Sequence, residues 1–299
     1  MDKLHLMTVY VAVAEGQGFA AGARRMGMSP PAVTRAVARL ERELGVKLLT
    51  RTTRHVLVTD AGRRYLDDAR RILGEVAEAD EAAAGINAEP RGHLTVTAPS
   101  LFGRMFVLPG IIGFLQRHPA MEVSALLLDR VVNMLEEGVD VAVRIGELPD
   151  SGMTAIRVGE VRRVTCAAPD YLAAHGTPAE PAALLQHCII NTSNMGAGNE
   201  WKFGHAGNAT TIHVKPRLSV TTNDAAIETA MQGFGIARIL SYQVAGLFET
   251  GALMPILTSY EPPPMPIHVI YREGRQASAK VRSFVDMMVP HLQGNSRLF

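Results

Sequence analysis

The chain has 299 residues, 47% apolar and 20% charged, a soluble globular composition with length for two or three hydrophobic cores. Its net charge of +1 is uninformative until divided. Residues 20–66 carry ten lysines and arginines against three acids, a net +7, whereas residues 67–90 carry two against seven, a net −5. That asymmetry places a polyanion contact in the first quarter of the chain. The most apolar run, 105–115, is short and broken by Pro109, Gly110 and Gly113, which excludes a bilayer-spanning segment. The opening Met1-Asp2-Lys3-Leu4-His5 begins an amphipathic helix and does not read as a secretory leader. Cys166 and Cys188 lack metal-ligand spacing, so the expectation is a reduced cytoplasmic chain with buried thiols. A redox sensor is the alternative, with nothing nearby to activate a thiolate.

The opening helix carries Leu6, Tyr10, Val13 and Ala14 on one stripe. A second helix is predicted over 19–26, with Phe19, Ala23 and Met26 on one side and Gly27 to stop it. Ser29-Pro30 then restarts the helix, with a hydroxyl at the N-cap and proline in the first helical position. In the third helix Val33, Val37, Leu40 and Leu44 form an apolar stripe. Arg35, Arg39 and Arg42 fall opposite, beside Thr34 and Ala38. A short helix crossed by one that turns arginine away from the core suits entry into a DNA major groove. An ordinary helical hairpin with solvated arginines fits these residues equally well.

Gly45 ends the third helix, and residues 47–59 alternate β-branched residues around a basic turn at 51–54. This is a wing, whose tip can lay arginine on phosphates or in the minor groove. Thr59 can cap a long helix running to about residue 88. Along it Tyr65, Ala69, Ile72, Val76, Ala79, Ala83 and Ile86 are spaced 4-3-4-3-4-3, a heptad seam. Such a helix can pack on its own domain, but its length and the breaker at 89–92 favour dimerisation, which would set two reading heads on successive turns of DNA.

Residues 1–88 resemble the winged helix-turn-helix and linker helix of LysR-type transcriptional regulators. The resemblance is carried by Phe19, Gly22-Ala23, Met26-Gly27, Ser29, Pro31-Ala32, Thr34-Arg35, Leu40-Glu41 and Leu44-Gly45. Leu49, Arg51, Arg54, Thr59 and Ala61-Gly62 continue it through the wing. Gly18, Leu49 and Pro30 depart from the pattern, standing where Ser, Phe and often Gln occur. Loss of that glutamine removes a bidentate amide, so base reading leans on Thr34, Arg35 and the wing. The candidate DNA contacts are Ser29, Pro30, Pro31, Thr34, Arg35, Arg39, Arg51 and Arg54.

The remaining 208 residues alternate strands and helices in an α/β pattern with mostly parallel strands. Strands are predicted at 93–98, 121–128, 139–145, 188–191, 218–221 and 267–271, with a turn of the pattern near 162–168. Helices are predicted from Pro99-Ser100, over 131–137, over 223–232 and over 278–291, and a Gly-rich turn at 233–237 leads into another strand. This stretch resembles the family's effector domain, which has the two-subdomain fold of type II periplasmic binding proteins. The resemblance implies a DNA-binding domain at 1–59 and a linker at 60–88. It implies subdomain I at 92–163 with 268–299, subdomain II at 164–267, and a small ligand between them. Strand ends and helix starts converge on such a cleft. The candidate effector contacts are Ser100, Leu101, Phe102, Asp129, Arg144, Glu147, Trp201, Thr221 and Asn223.

Ser100 and Asn223 are equally readable as plain N-caps, and Arg144 as the partner of Glu147 or Asp129. Trp201 is twice as readable as core than as a lid. By family analogy an organic or aromatic acid suits the cleft, and self-association as dimer or tetramer is expected, with RNA polymerase a further partner. No cofactor is expected. The rival reading is a solute-binding protein or an enzyme, but the histidines are scattered and Gly233-Phe234-Gly235 lacks a fuller dinucleotide pattern.

Overall fold

The computed structural model describes residues 2–51, 56–84, 89–149, 152–192, 198–204, 209–272 and 278–298. They form two compact units, Met1–Ala88 and Glu89–Phe299.

In the first unit α1 (Lys3–Glu15), α2 (Phe19–Met26) and α3 (Pro30–Leu44) close one core. Leu6, Val9, Tyr10 and Val13 of α1 meet Val33, Ala36, Val37 and Leu40 of α3, all buried. Leu44 and Met26 stay half-buried at its rim. Left-handed Gly27 and Gly45, at φ 59° and 71°, end α2 and α3 as their positions predict. Ser29 occupies the N-cap of α3, but its hydroxyl caps nothing. The reason is the double proline: Pro30 and Pro31 have no N–H. The next amide, Ala32, donates to the Ser29 carbonyl at 2.9 Å.

The wing is a ribbon of β1 (Leu49–Arg51) and β2 (Val56–Val58), with Leu49 opposite Val58. Glu41, buried on the inner side of α3, accepts from the amides of Leu48 (2.9 Å) and Leu49 (3.1 Å) and from Lys47 Nζ (2.6 Å). It thereby joins the ribbon to α3. Thr59 caps α4 (Asp60–Ala84) as expected, accepting from the Gly62 amide at 2.9 Å. A Cβ on Gly62 would lie 2.1 Å from the Leu48 carbonyl oxygen, so only glycine lets α4 cross the ribbon there.

The heptad seam of α4 divides. Tyr65 packs on Tyr10 with ring centres 5.8 Å apart, and Ala69 is fully buried within its own unit. Ala69 is therefore corrected from a self-pairing face to the interior of its own unit, while Tyr65 is half-buried against Tyr10. Ile72 and Val76 follow half-buried. The side chains of Ala79 and Ala83, and all of Ile86, lie outside the described residues.

The second unit holds two five-stranded sheets. The first has the order β4-β3-β5-β14-β6, from β3 (Gly92–Ala98), β4 (Met121–Leu127), β5 (Val141–Ile145), β6 (Met153–Val161) and β14 (Met265–Arg272). The second has the order β11-β8-β12-β7-β13, from β7 (Arg163–Ala167), β8 (Ile189–Thr192), β11 (Pro216–Val220), β12 (Ile236–Leu240) and β13 (Met254–Ile256). Four strands of each share a direction; β14 and β7 are the reversed ones. The chain leaves the first sheet after β6 and re-enters it at β14. A hairpin of β9 (Glu200–Phe203) and β10 (Thr210–His213) packs beside the second sheet.

Helix α5 (Ser100–Phe102) runs through a π-helical turn, Gly103–Val107, into α6 (Leu108–Arg117). With α10 (Ala279–Gln293) it covers one face of the first sheet, around Phe102, Phe106, Phe114 and Phe284. The second sheet carries α7 (Pro169–His175) on one side and α8 (Asn223–Met231) with α9 (Ser241–Glu249) on the other.

The helix expected over 131–137 is absent. Asn133 Oδ1 takes the amides of Leu135 and Glu136, and Glu137 takes both Arg130 and the Asn133 amide. These local bonds hold a turn that ends in left-handed Gly138. The turn of the pattern read near 162–168 falls on strand β7, the first of the second sheet. Strands β6, β9, β10 and β13 and helices α7 and α9 also appear, none of them singled out from the sequence as a separate element.

Candidate DNA-binding surface and effector junction

On α3 the apolar stripe faces inward, leaving Ser29, Pro30, Pro31, Arg35, Ala38, Arg39 and Arg42 exposed and Thr34 half-buried. The two prolines strip α3 of its first free amides, so its N-terminus has little to offer a phosphate. Side chains must supply the contact. Arg39 is bound at 2.8 Å to Glu43 one turn on, whereas Arg24, Arg35 and Arg42 have no carboxylate within 4.0 Å among the described residues. Arg54 lies outside the described residues, as does the side chain of Arg51.

In the second unit Ser100 and Asp129 meet at the ends of neighbouring strands β3 and β4. The Ser100 amide donates to Asp129 Oδ1 at 2.8 Å and its hydroxyl to the Leu127 carbonyl at 3.1 Å. The first helical amide expected to greet a ligand is thus taken by the protein's own carboxylate. Leu101 packs against the cores of both sheets. Phe102 is fully buried, edge-on to Tyr242 of α9 at 5.4 Å, so its role as an effector contact is corrected to core. Tyr242, which sequence reading missed, plugs the second sheet's α9 into the first sheet's core.

Arg144, at the end of β5, pairs with neither Glu147 nor Asp129. Its Nη2 is enclosed without a hydrogen-bond partner. Burial pulls the guanidinium below its ordinary pKa, opposed by the charge of Glu137 and reinforced by that of Arg130. Across the junction Thr222, not Asn223, is the N-cap of α8, accepting from the Ala225 amide at 3.4 Å; Asn223 is the first helical residue, and Thr221 is exposed. Trp201 is 5% exposed in the core of the second sheet, which settles it as core.

The two crossing segments between the sheets are tied together. Arg162 Nη1 meets Glu261 Oε2 at 2.7 Å, and the Arg162 backbone exchanges bonds with Ser241 at 2.8 and 3.1 Å. Sequence reading passed over Arg162, and over Arg163 and Arg238, although an arginine inside the apolar run Ile236-Ala237-Arg238-Ile239-Leu240 is a legible signal.

Residues 4–63 match the bacterial regulatory helix-turn-helix proteins of the lysR family, and residues 87–293 match the LysR substrate binding domain. The transcriptional regulator CrgA from Neisseria meningitidis serogroup C is 32% identical over 291 residues, covering 97% of both chains. The solved structure of CrgA, a LysR-type transcriptional regulator from Neisseria meningitidis, superposes with a TM-score of 0.62 at 30% identity, covering 97% of this chain and 99% of that one. The full-length virulence activator AphB of Vibrio cholerae, 22% identical with a TM-score of 0.63, covers 97% of this chain and 99% of its own and shares the fold. The two family matches together span nearly the whole length of the chain: it belongs to the LysR family of transcriptional regulators, which bind DNA and respond to effectors.

Proposed function

We propose that the protein binds an inverted-repeat operator as a dimer or a dimer of dimers. Helix α3 enters the major groove with Thr34 and Arg35 toward base edges, while the wing, with Arg51 and Arg54, follows the flanking backbone. Ile72 and Val76 begin the self-pairing part of α4. The observation that carries this reading is Arg35: exposed opposite the buried stripe of α3 and without a carboxylate partner among the described residues. A bidentate guanidinium there reads guanine.

In this reading a small-molecule effector binds where Ser100, Leu101, Asp129 and Arg144 face Thr221 and Asn223. It acts only through a difference in affinity between two arrangements of the subdomains, 92–163 with 268–299 and 164–267. RNA polymerase is the further partner through which bound protein alters transcription, and the location is cytoplasmic, where the DNA is. No helix among the described residues is long and apolar enough to cross a membrane.

The test is selection of bound fragments from the host genome, followed by titration of the full chain and of a chain lacking residues 1–66. The full chain should bind the selected duplex tightly and lose affinity steeply with salt. Retention of that affinity and salt slope by the truncated chain would remove the reading.

A further inference from the structure

Arg163 on β7 and Arg238 on β12 stand on one face of an antiparallel pair. The register sets Thr165 opposite Arg238 and Leu240 opposite Arg163, so the two arginines are diagonal neighbours, with Cα atoms roughly 7–8 Å apart by strand geometry. Arg163 is the first residue of the second sheet after the crossing at Arg162. It is level with Leu240, where β12 ends and α9 begins. Arg163 therefore lies at the strand end that meets the crossing, and Arg238 two residues further in along β12, both on interior strands of the sheet.

Each side chain is half-buried and short of partners. Arg238 lies over the Phe203 ring at 4.5 Å and beside Trp201 at 5.7 Å, and donates to the Lys202 carbonyl. Its Nε is enclosed with no hydrogen-bond partner. Among the described residues Arg163 Nη2 reaches only the sulfur of Met265, at 3.6 Å. No carboxylate comes within 4.0 Å of either among the described residues.

Burial pulls both guanidiniums down, and the charge of Arg163 helps bring Arg238 to about 9. Cation–π contact accounts for where Arg238 sits, but not for a second arginine held beside it. Two like charges out of water repel unless an opposite charge joins them, and paired guanidiniums favour planar oxyanions that accept two parallel N–H bonds.

We propose that Arg163 and Arg238 form an oxyanion subsite for the carboxylate or phosphate of a small ligand at the junction. The proposal deepens the effector reading and rests on it for its regulatory meaning, though anion binding itself needs no DNA. The aromatic floor of Phe203 and Trp201 keeps Arg238 from swinging into solvent, so the site is preorganised and Arg163 closes it.

Thermal unfolding of the full chain in sodium benzoate, in sodium phosphate and in sodium chloride, at equal ionic strength, tests it. Benzoate or phosphate should raise Tm by a few degrees over chloride, and which of them does so names the ligand source. Arg163→Met should abolish that rise while leaving Tm in chloride unchanged or higher, because a repulsion is relieved; Arg163→Lys should keep part of it. An equal rise in Arg163→Met, or no rise over chloride in the wild-type chain, overturns the proposal. Neither outcome alters operator binding by the first unit, so its failure is separable from that of the regulator reading.

Discussion

Glu41 shows how one buried carboxylate can hold the ribbon against α3. Burial by itself would raise its pKa, but the Lys47 ammonium and the amides of Leu49 and Leu48 outweigh it and hold the group below 4.5. Its stabilisation is thus present above pH 4.5 and lost as pH falls through the lower folded value. Denaturant titrations at several pH values should show this acid loss in the wild type and not in Glu41→Gln. Glu41→Ala should cost about 2–3 kcal/mol at neutral pH by stranding two buried amides. A variant with wild-type stability and acid dependence would show that the ribbon holds without this link.

Arg35 makes the opposite case, a side chain with no structural duty. Arg35→Ala should leave Tm unchanged and relax one operator position by about 1–3 kcal/mol, read by competition between operator and random DNA. Equal loss on both would demote Arg35 to a phosphate contact. Cys166 is fully buried with its thiol pushed up to about 12, so it is not a reactive thiolate.

At the scale of elements, α4 packs on its own unit at its start and leaves Ile72 and Val76 half-exposed further along. Its heptad was visible in the sequence, but a heptad states only that a face wants covering, not what covers it. The structure encloses Ala69 and half-buries Tyr65 within the unit, because Tyr10 and Gly62 bring α4 against α1 and the ribbon. Ile72 and Val76 remain half-exposed. Val76→Asp should therefore shift the protein toward monomer in sedimentation equilibrium with little change in Tm. Ala69→Asp should lower stability by about 3 kcal/mol, through an unpaired buried carboxylate. An intact oligomer in Val76→Asp would move the self-pairing face elsewhere. Helix α3 gives a related lesson: Ser29-Pro30-Pro31 correctly announces where it starts, yet the prolines remove the amides the serine would cap.

At the scale of the whole second unit, the groups that join its two sheets include Leu101, Tyr242, the Arg163–Met265 contact and the Arg162–Glu261 tie. Glu261 is largely buried and one of its oxygens has no partner. Arg162→Ala should cost about 1–3 kcal/mol in unfolding by leaving that carboxylate without its cation. Hydrogen exchange should quicken at residues 254–265. Unchanged protection there would mean that the crossing strands are held by backbone packing alone.

The sequence by itself determined what depends on neighbours along the chain. The helix-turn-helix, its outward arginines, the wing and the alternating strands and helices of the second unit follow from periodicity, caps and breakers within a few residues. It also located the strand ends at Ser100, Asp129 and Arg144. What only the tertiary structure decided is which of those groups are free. Asp129 consumes the amide of Ser100, Phe102 and Trp201 belong to cores, and Arg144, Arg163 and Arg238 are left half-buried without an ion pair among the described residues. Burial and pairing arise when strands distant in the chain come side by side, and no local pattern of residue types encodes that register.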